Sequence, residues 1–134
     1  MTHDSMDQEP RNAFRPQPPS LRNKRVLVVE DDFFVAEETV RDFEDFGAEV
    51  VGPVSSLTLA FDVVLNGQAI DGAVLDINLL GERVFPLVDV LRRRGVPCVF
   101  ATGYDRWTVP TDYQSVPLLQ KPVVTAEVAR ALFG

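Results

Sequence analysis

The chain has 134 residues, 46 % of them apolar and 25 % charged, with a formal net charge of -7. That length suits one compact domain with a sizeable core and leaves little room for a second. The acidic balance argues against a polyphosphate surface, the single cysteine, Cys98, cannot form an internal disulfide, and His3 in a polar stretch cannot build a zinc site. No run approaches the roughly 18 to 20 apolar residues of a membrane span, so a cytoplasmic protein with no nucleic-acid and no membrane partner is expected.

Residues 1–23 carry Pro10, Pro16, Pro18 and Pro19 with almost no apolar periodicity, which predicts a disordered or loosely draped N-terminal tail. RVLVV, residues 25–29, reads as a strand buried on both faces. Next, Phe33, Ala36, Val40 and Phe43 fall on one side at helical spacing, with Glu37, Glu38, Arg41 and Glu44 opposite and Gly47 as the stop. AEVVGPV predicts a second strand and SSLTLAFDVVLN a second helix, with Leu59 and Val63 on its apolar face and Asn66-Gly67 at its end. DGAVLD is the third strand.

A helix follows from about Glu82 to Arg94, with Val84, Leu87, Val88 and Leu91 inward. Its run Arg92 to Arg94 suits the C-terminal end of the helix dipole and reads as a solvated face. VPCVFAT and VPLLQ predict the fourth and fifth strands, and TAEVARALF a last short helix with Thr125 as N-cap. Between those strands, Gly103 to Ser115 holds Thr108, Val109 and Pro110 and no apolar stripe, so the fourth helix is expected to be weak or mobile. Trp107 and Tyr113 within it read as half-buried contact residues. Alternating strands and helices imply an α/β fold: a five-stranded parallel sheet with right-handed crossovers and helices on both faces.

In such a sheet, ligands bind beyond the carboxyl ends of the strands. Glu30 and Asp31 follow the first strand, Asp76 ends the third, Thr102 ends the fourth and Lys121 follows the fifth. Acidic residues after a strand can simply cap the next helix, and Asp32, which begins that helix, is assigned this role. Three carboxylates converging on one edge nevertheless call for a cation, and a hard divalent ion such as Mg²⁺ suits them. Lys121 adds a point charge for a phosphoryl oxygen and Thr102 a hydroxyl.

The motifs VLVVEDD, VLDIN, FATG and LLQKP, in this order, resemble the receiver domain of bacterial two-component response regulators. The resemblance runs from Arg25 to Gly134, giving a receiver domain over 24–134. It implies a flavodoxin-like (βα)5 three-layer sandwich with strand order 2-1-3-4-5. By the same resemblance Asp76 is the phospho-acceptor, taking its phosphoryl group from a histidine kinase, a phosphotransfer protein or a small acyl phosphate. Glu30 and Asp31 match the acidic pair that holds Mg²⁺, and Asn78 the position whose backbone carbonyl completes the metal shell. Thr102 and Lys121 match the residues that engage the phosphoryl group, Asn78 and Tyr104 those that tune its lifetime, and the Lys121–Pro122 bond is expected to be cis.

Two departures stand out. Leu118 occupies the position of the usual switch aromatic, and INLLGERVF lacks the usual proline. With FATGY at Phe100 to Tyr104 and the poor fourth helix, the chain is similar to the FATGUY subgroup, which implies kinases of the HWE or HisKA2 kind. Lacking an output domain, such a protein would act through an unidentified downstream protein. A pseudo-receiver that binds partners without being phosphorylated is the main alternative. A metal-dependent phosphodiester enzyme of the toprim kind is disfavoured, because Asp76-Ile77-Asn78 is one acid short.

Overall fold

The computed structural model describes residues 20–103 and 109–134. Most of the expected tail, and the expectations for Tyr104 and Trp107, lie outside the described residues. In chain order the elements are β1 (Arg25–Val29), α1 (Phe33–Asp45), β2 (Glu49–Val54), α2 (Leu57–Leu65) and β3 (Gly72–Leu75). There follow β4 (Asn78–Leu79), β5 (Glu82–Arg83), α3 (Phe85–Arg93), β6 (Cys98–Thr102), a 3-10 turn (Thr111–Tyr113), β7 (Leu118–Gln120) and α4 (Thr125–Phe133).

The main sheet is parallel in the order β2-β1-β3-β6-β7, the expected 2-1-3-4-5 arrangement of a flavodoxin-like α/β sandwich. Strand alternation sorts the core into two layers. Leu27, Val29, Leu75 and Phe100 face α2 and α3, where Ala60, Val64, Leu87, Val88 and Leu91 meet them. Val26, Val28, Val74 and Val99 face α1 and α4, packing with Phe43, Val128, Ala129 and Leu132. Both faces are covered, so the central strands are continuous apolar runs.

Register positions the edge that matters. Val29, Leu75, Phe100 and Leu118 pair in sequence across four strands, so the residues just beyond them emerge on one side. Gly52 sits where the β1–β2 register shifts; its φ is +95°, and a Cβ there would lie 2.8 Å from the Val54 nitrogen. The Lys121–Pro122 bond is cis as expected, and Gly52–Pro53 is cis as well.

Several local expectations need correction. Leu21, assigned to the tail, is fully buried among Val28, Val74 and Phe43, and its N–H donates to the Phe46 carbonyl at 3.1 Å. The helix expected from Glu82 starts at Phe85, because Leu80 (φ 52°) and Gly81 (φ 88°) make a tight turn that folds β5 back on β4. Pro86 then sits in the first turn of α3, where its missing N–H is not needed. Phe33 and Leu59 are exposed rather than core; Ala36 with Phe43, and Ala60 with Val64, carry the buried faces of α1 and α2.

Thr125 is the first residue of α4, not its cap: Val124 holds the N-cap position and no side-chain cap bond forms there. Arg92 is not simply solvated, since it donates to the Asp112 carbonyl and Ser115 Oγ and lies over the Tyr113 ring. The described part of the stretch expected to hold the fourth helix contains only the 3-10 turn. Tyr113 stacks on Phe85 and donates to Asp89, which fastens this stretch to α3.

Asp32 caps α1 as expected: its Oδ1 accepts from the N–H groups of Phe34 at 2.9 Å and Val35 at 3.1 Å. Asp32→Ala strands both donors and should lower stability by about 1 kcal/mol, read as a shift in the urea unfolding midpoint with unchanged slope. Among the described residues no helix is long and apolar enough to cross a membrane.

Candidate functional site

Three ladder features bring the site together. Asp76 N–H donates to the Val29 carbonyl at 2.9 Å, which sets Asp76 beside the end of β1. Glu30 N–H donates to the Val54 carbonyl at 3.0 Å. Lys121 N–H donates to the Thr102 carbonyl at 3.1 Å, extending the β6–β7 pairing one step past the strand. Asp31, Asp76, Asn78, Thr102, Gly103 and Lys121 line one open cleft at the carboxyl edge of the sheet. Among the described residues beyond its chain neighbours, a Cβ at Gly103 would meet nothing within 4 Å.

Lys121 is the electrostatic centre. Its Nζ lies 2.6 Å from Glu30 Oε1 and 2.9 Å from Asp76 Oδ2. Both carboxylates are buried, at 6 % and 7 % exposure, so each needs this partner. Burial alone would lower the Lys121 pKa, yet its hydrogen bonds to Glu30 and Asp76 outweigh that and hold the ammonium above its ordinary range. Burial raises the Glu30 carboxyl above the usual carboxylate range, against the pull of the Lys121 hydrogen bond and the Asp32 N–H; the nearby Asp76 adds to the rise.

The remaining lone pairs shape the neighbourhood. Glu30 Oε2 accepts from Asp32 N–H at 3.0 Å, so both its oxygens are engaged. Asp31 Oδ2 accepts from the N–H of Leu80 at 3.0 Å, tying the tip of the β4–β5 hairpin to the site. Asp76 Oδ1 accepts from Asn78 N–H at 3.3 Å. Neither the hairpin nor the Glu30–Lys121 contact is among the sequence expectations; the turn at Leu80-Gly81 lies just before the residues read as helix.

A cation fits this donor set. One carboxylate oxygen each from Glu30, Asp31 and Asp76 lie within 4.8 Å of one another. A hard divalent ion such as Mg²⁺ is usually held by one or two carboxylates plus waters, and this spacing is compatible with that. All five residues expected to converge, Glu30, Asp31, Asp76, Thr102 and Lys121, do so, and Asn78 borders the same cleft.

No protein-family model matches the chain, and no curated protein matches it. Solved structures do. SdrG from Sphingomonas melonis Fr1 is 36 % identical, with 81 % of this chain and 92 % of that one covered and a TM-score of 0.71. The BeF3-activated conformation of SdrG, from Pseudomonas melonis Fr1, matches at 34 % identity, 84 % and 93 % coverage and a TM-score of 0.68. A response regulator receiver protein from Sinorhizobium medicae WSM419 is 25 % identical over 84 % of this chain and 94 % of that chain, with a TM-score of 0.70.

Proposed function

Because the chain belongs to the response regulator receiver domains, we propose that residues 24–134 act as a phosphorylation switch: Asp76 accepts a phosphoryl group and the change alters contacts with protein partners. The observation that carries this reading is the 2.9 Å approach of Lys121 Nζ to Asp76 Oδ2, with Glu30 and Asp31 beside them. In the transfer, an Asp76 carboxylate oxygen attacks phosphorus. The bond from phosphorus to the donor breaks, and the donor leaves as imidazole or acetate with the bonding pair. Asp31 and Asp76, with Glu30 through water and the Asn78 carbonyl, would hold Mg²⁺, which would supply positive charge for the transferring group.

Lys121 follows the charge. As Asp76 Oδ2 becomes the bridging oxygen of a mixed anhydride, negative charge moves onto the phosphoryl oxygens, and the ammonium would move with it. Thr102, at the end of β6, would donate its hydroxyl to the same group. The sequence FATGY and Leu118 in place of an aromatic support assignment to the FATGUY subgroup, with a histidine kinase of the HWE or HisKA2 kind, or a phosphotransfer protein, as donor. Leu118 packs against the core beside Phe100, so readout by a swinging aromatic at that position is not available to this chain.

The test is direct. Protein incubated with acetyl phosphate and Mg²⁺ should gain one phosphoryl mass by intact mass spectrometry. Asp76→Asn should gain none, and chelator should suppress the gain in the wild type. If the wild type stays unmodified, the chain is a phosphorylation-independent binding module instead.

A further inference from the structure

Between α1 and the turn that leads into α4 lies a groove of about 290 Å³, floored by Val28, Val74 and Ala101. Its origin is legible in the sequence. Val35, Glu38, Thr39 and Asp42 stand at the i, i+3, i+4, i+7 spacing of one helix stripe, which is ordinarily apolar where a helix covers a sheet. Only Val35 is apolar here, so α1 packs through Ala36 and Phe43, and the polar stripe borders the gap. With two valines and an alanine beneath, the groove is apolar in depth and anionic at its lip.

The polar groups on its walls lack partners. Among the described residues the carboxylates of Glu38 and Asp42 make no ion pair and no hydrogen bond. Lys121 also lines the groove, but its ammonium is turned to Glu30 and Asp76 and leaves the acidic lip uncompensated. On the opposite wall Thr125 is 8 % exposed, yet among the described residues its hydroxyl makes no hydrogen bond. Among those residues no side-chain polar atom without a partner is sealed from solvent, so this hydroxyl opens onto the groove that Thr125 lines. A hydroxyl so deep and unbonded calls for a partner from outside the fold.

A volume of about 290 Å³ lies at the small end of the roughly 300–1,000 Å³ typical of ligand pockets. Along α1, Val35 to Asp42 spans about 10 Å. These dimensions suit a small molecule. We propose that the groove binds a small arylalkylammonium ion carrying a hydroxyl at its far end. The ring lies over Val28, Val74 and Ala101, the ammonium pairs with Glu38 and Asp42, and the far hydroxyl bonds to that of Thr125, which can donate or accept. Pro122 and Val123, directly after Lys121, belong to the same lining, so the bound molecule abuts the turn that carries that lysine. Neither Asp76 nor a metal takes part, so binding here is independent of the phosphoryl reading.

Tyramine is the probe, titrated into the full isotope-enriched chain while backbone amide signals are followed. Saturable shifts confined to residues 28–29, 35–43, 74, 101 and 122–125 are expected, with α2 and α3 unmoved. Phenethylamine, which lacks the far hydroxyl, and tyrosol, which lacks the ammonium, should each bind about 3- to 10-fold more weakly. The analogue with a carboxylate in place of the ammonium should not bind. Thr125→Val should bring tyramine down to the level of phenethylamine and leave phenethylamine unchanged. Glu38→Gln with Asp42→Asn should bring it down to the level of tyrosol. These changes touch side-chain groups that make no bond among the described residues, so the fold is retained. Shifts elsewhere, no saturation, tyrosol or the carboxylate binding as tightly as tyramine, or variants without effect overturn the proposal. So do groove shifts that grow with protein concentration in the absence of tyramine, since a second copy would then be the occupant.

Discussion

Lys121→Met is expected to cost the fold about 3 kcal/mol in metal-free buffer and to slow phosphoryl uptake at Asp76 about 100-fold or more. Removing the ammonium leaves Glu30, 6 % exposed, facing Asp76, 7 % exposed, with no cation between them. Breaking a buried pair from one side generally costs about 3–5 kcal/mol. The lower end applies because the Lys121 side chain is itself 25 % exposed and water can enter in its place. The rate loss has a separate origin: a donor aimed at charge that grows during transfer is worth about 10² to 10³ in rate.

The pH dependence separates the two effects. Lys121 has a folded pKa raised above 10.5, so its stabilisation is fully present below that value and is lost as pH rises through the raised one. The methionine variant should lack this share of the alkaline loss. At the acid end, burial already raises Glu30 above 4.5, and without Lys121 it rises further. The stability gap between variant and wild type should therefore narrow as pH falls from neutral through the raised Glu30 range, where the buried carboxylate takes up its proton. Adding Glu30→Gln should recover much of the stability and none of the rate. Urea unfolding in chelator and mass-resolved kinetics with acetyl phosphate check each arm; a variant with wild-type values in both refutes the role given to Lys121.

Phe100→Ala should cost about 4 kcal/mol, since a fully buried aromatic truncated in a packed core loses about 3–5 kcal/mol. That is a large part of the roughly 5–15 kcal/mol that holds a domain together. The location adds a second signature. Phe100 meets Phe85 edge-on at 5.8 Å, and Phe85 stacks on Tyr113 at 4.8 Å. Loss of the first ring slackens the support of the other two. Amide exchange across Val109 to Val116 should accelerate well beyond the global change. Phe43→Ala, equally buried on the opposite face, should cost a similar amount and leave that segment's relative protection unchanged.

The sheet and its order were readable because both signals are strong: continuous apolar runs for strands buried twice over, and 3.6-residue stripes between them. The converging residues were readable for the same reason, since strand ends in a parallel sheet all face one way. What escaped was decided by contacts between distant parts of the chain. Leu21 looked like tail because its burial depends on α1 and α4, which local pattern does not reveal. Glu82-Arg83 looked helical because the turn before them needs Leu80 at positive φ, a conformation that leucine seldom takes. Arg92 looked solvated because its partners, Asp112 and Ser115, lie about twenty residues downstream.

The bond from the Leu80 amide to Asp31 has a consequence for the outside of the molecule. The Asp31 carboxylate belongs to the acidic cluster and also tethers an exposed apolar tip, with Leu80 74 % open to solvent. Whatever draws Asp31 toward the cleft strains or frees that tether. A change of charge at the cleft would thereby bear on a greasy knob on the rim.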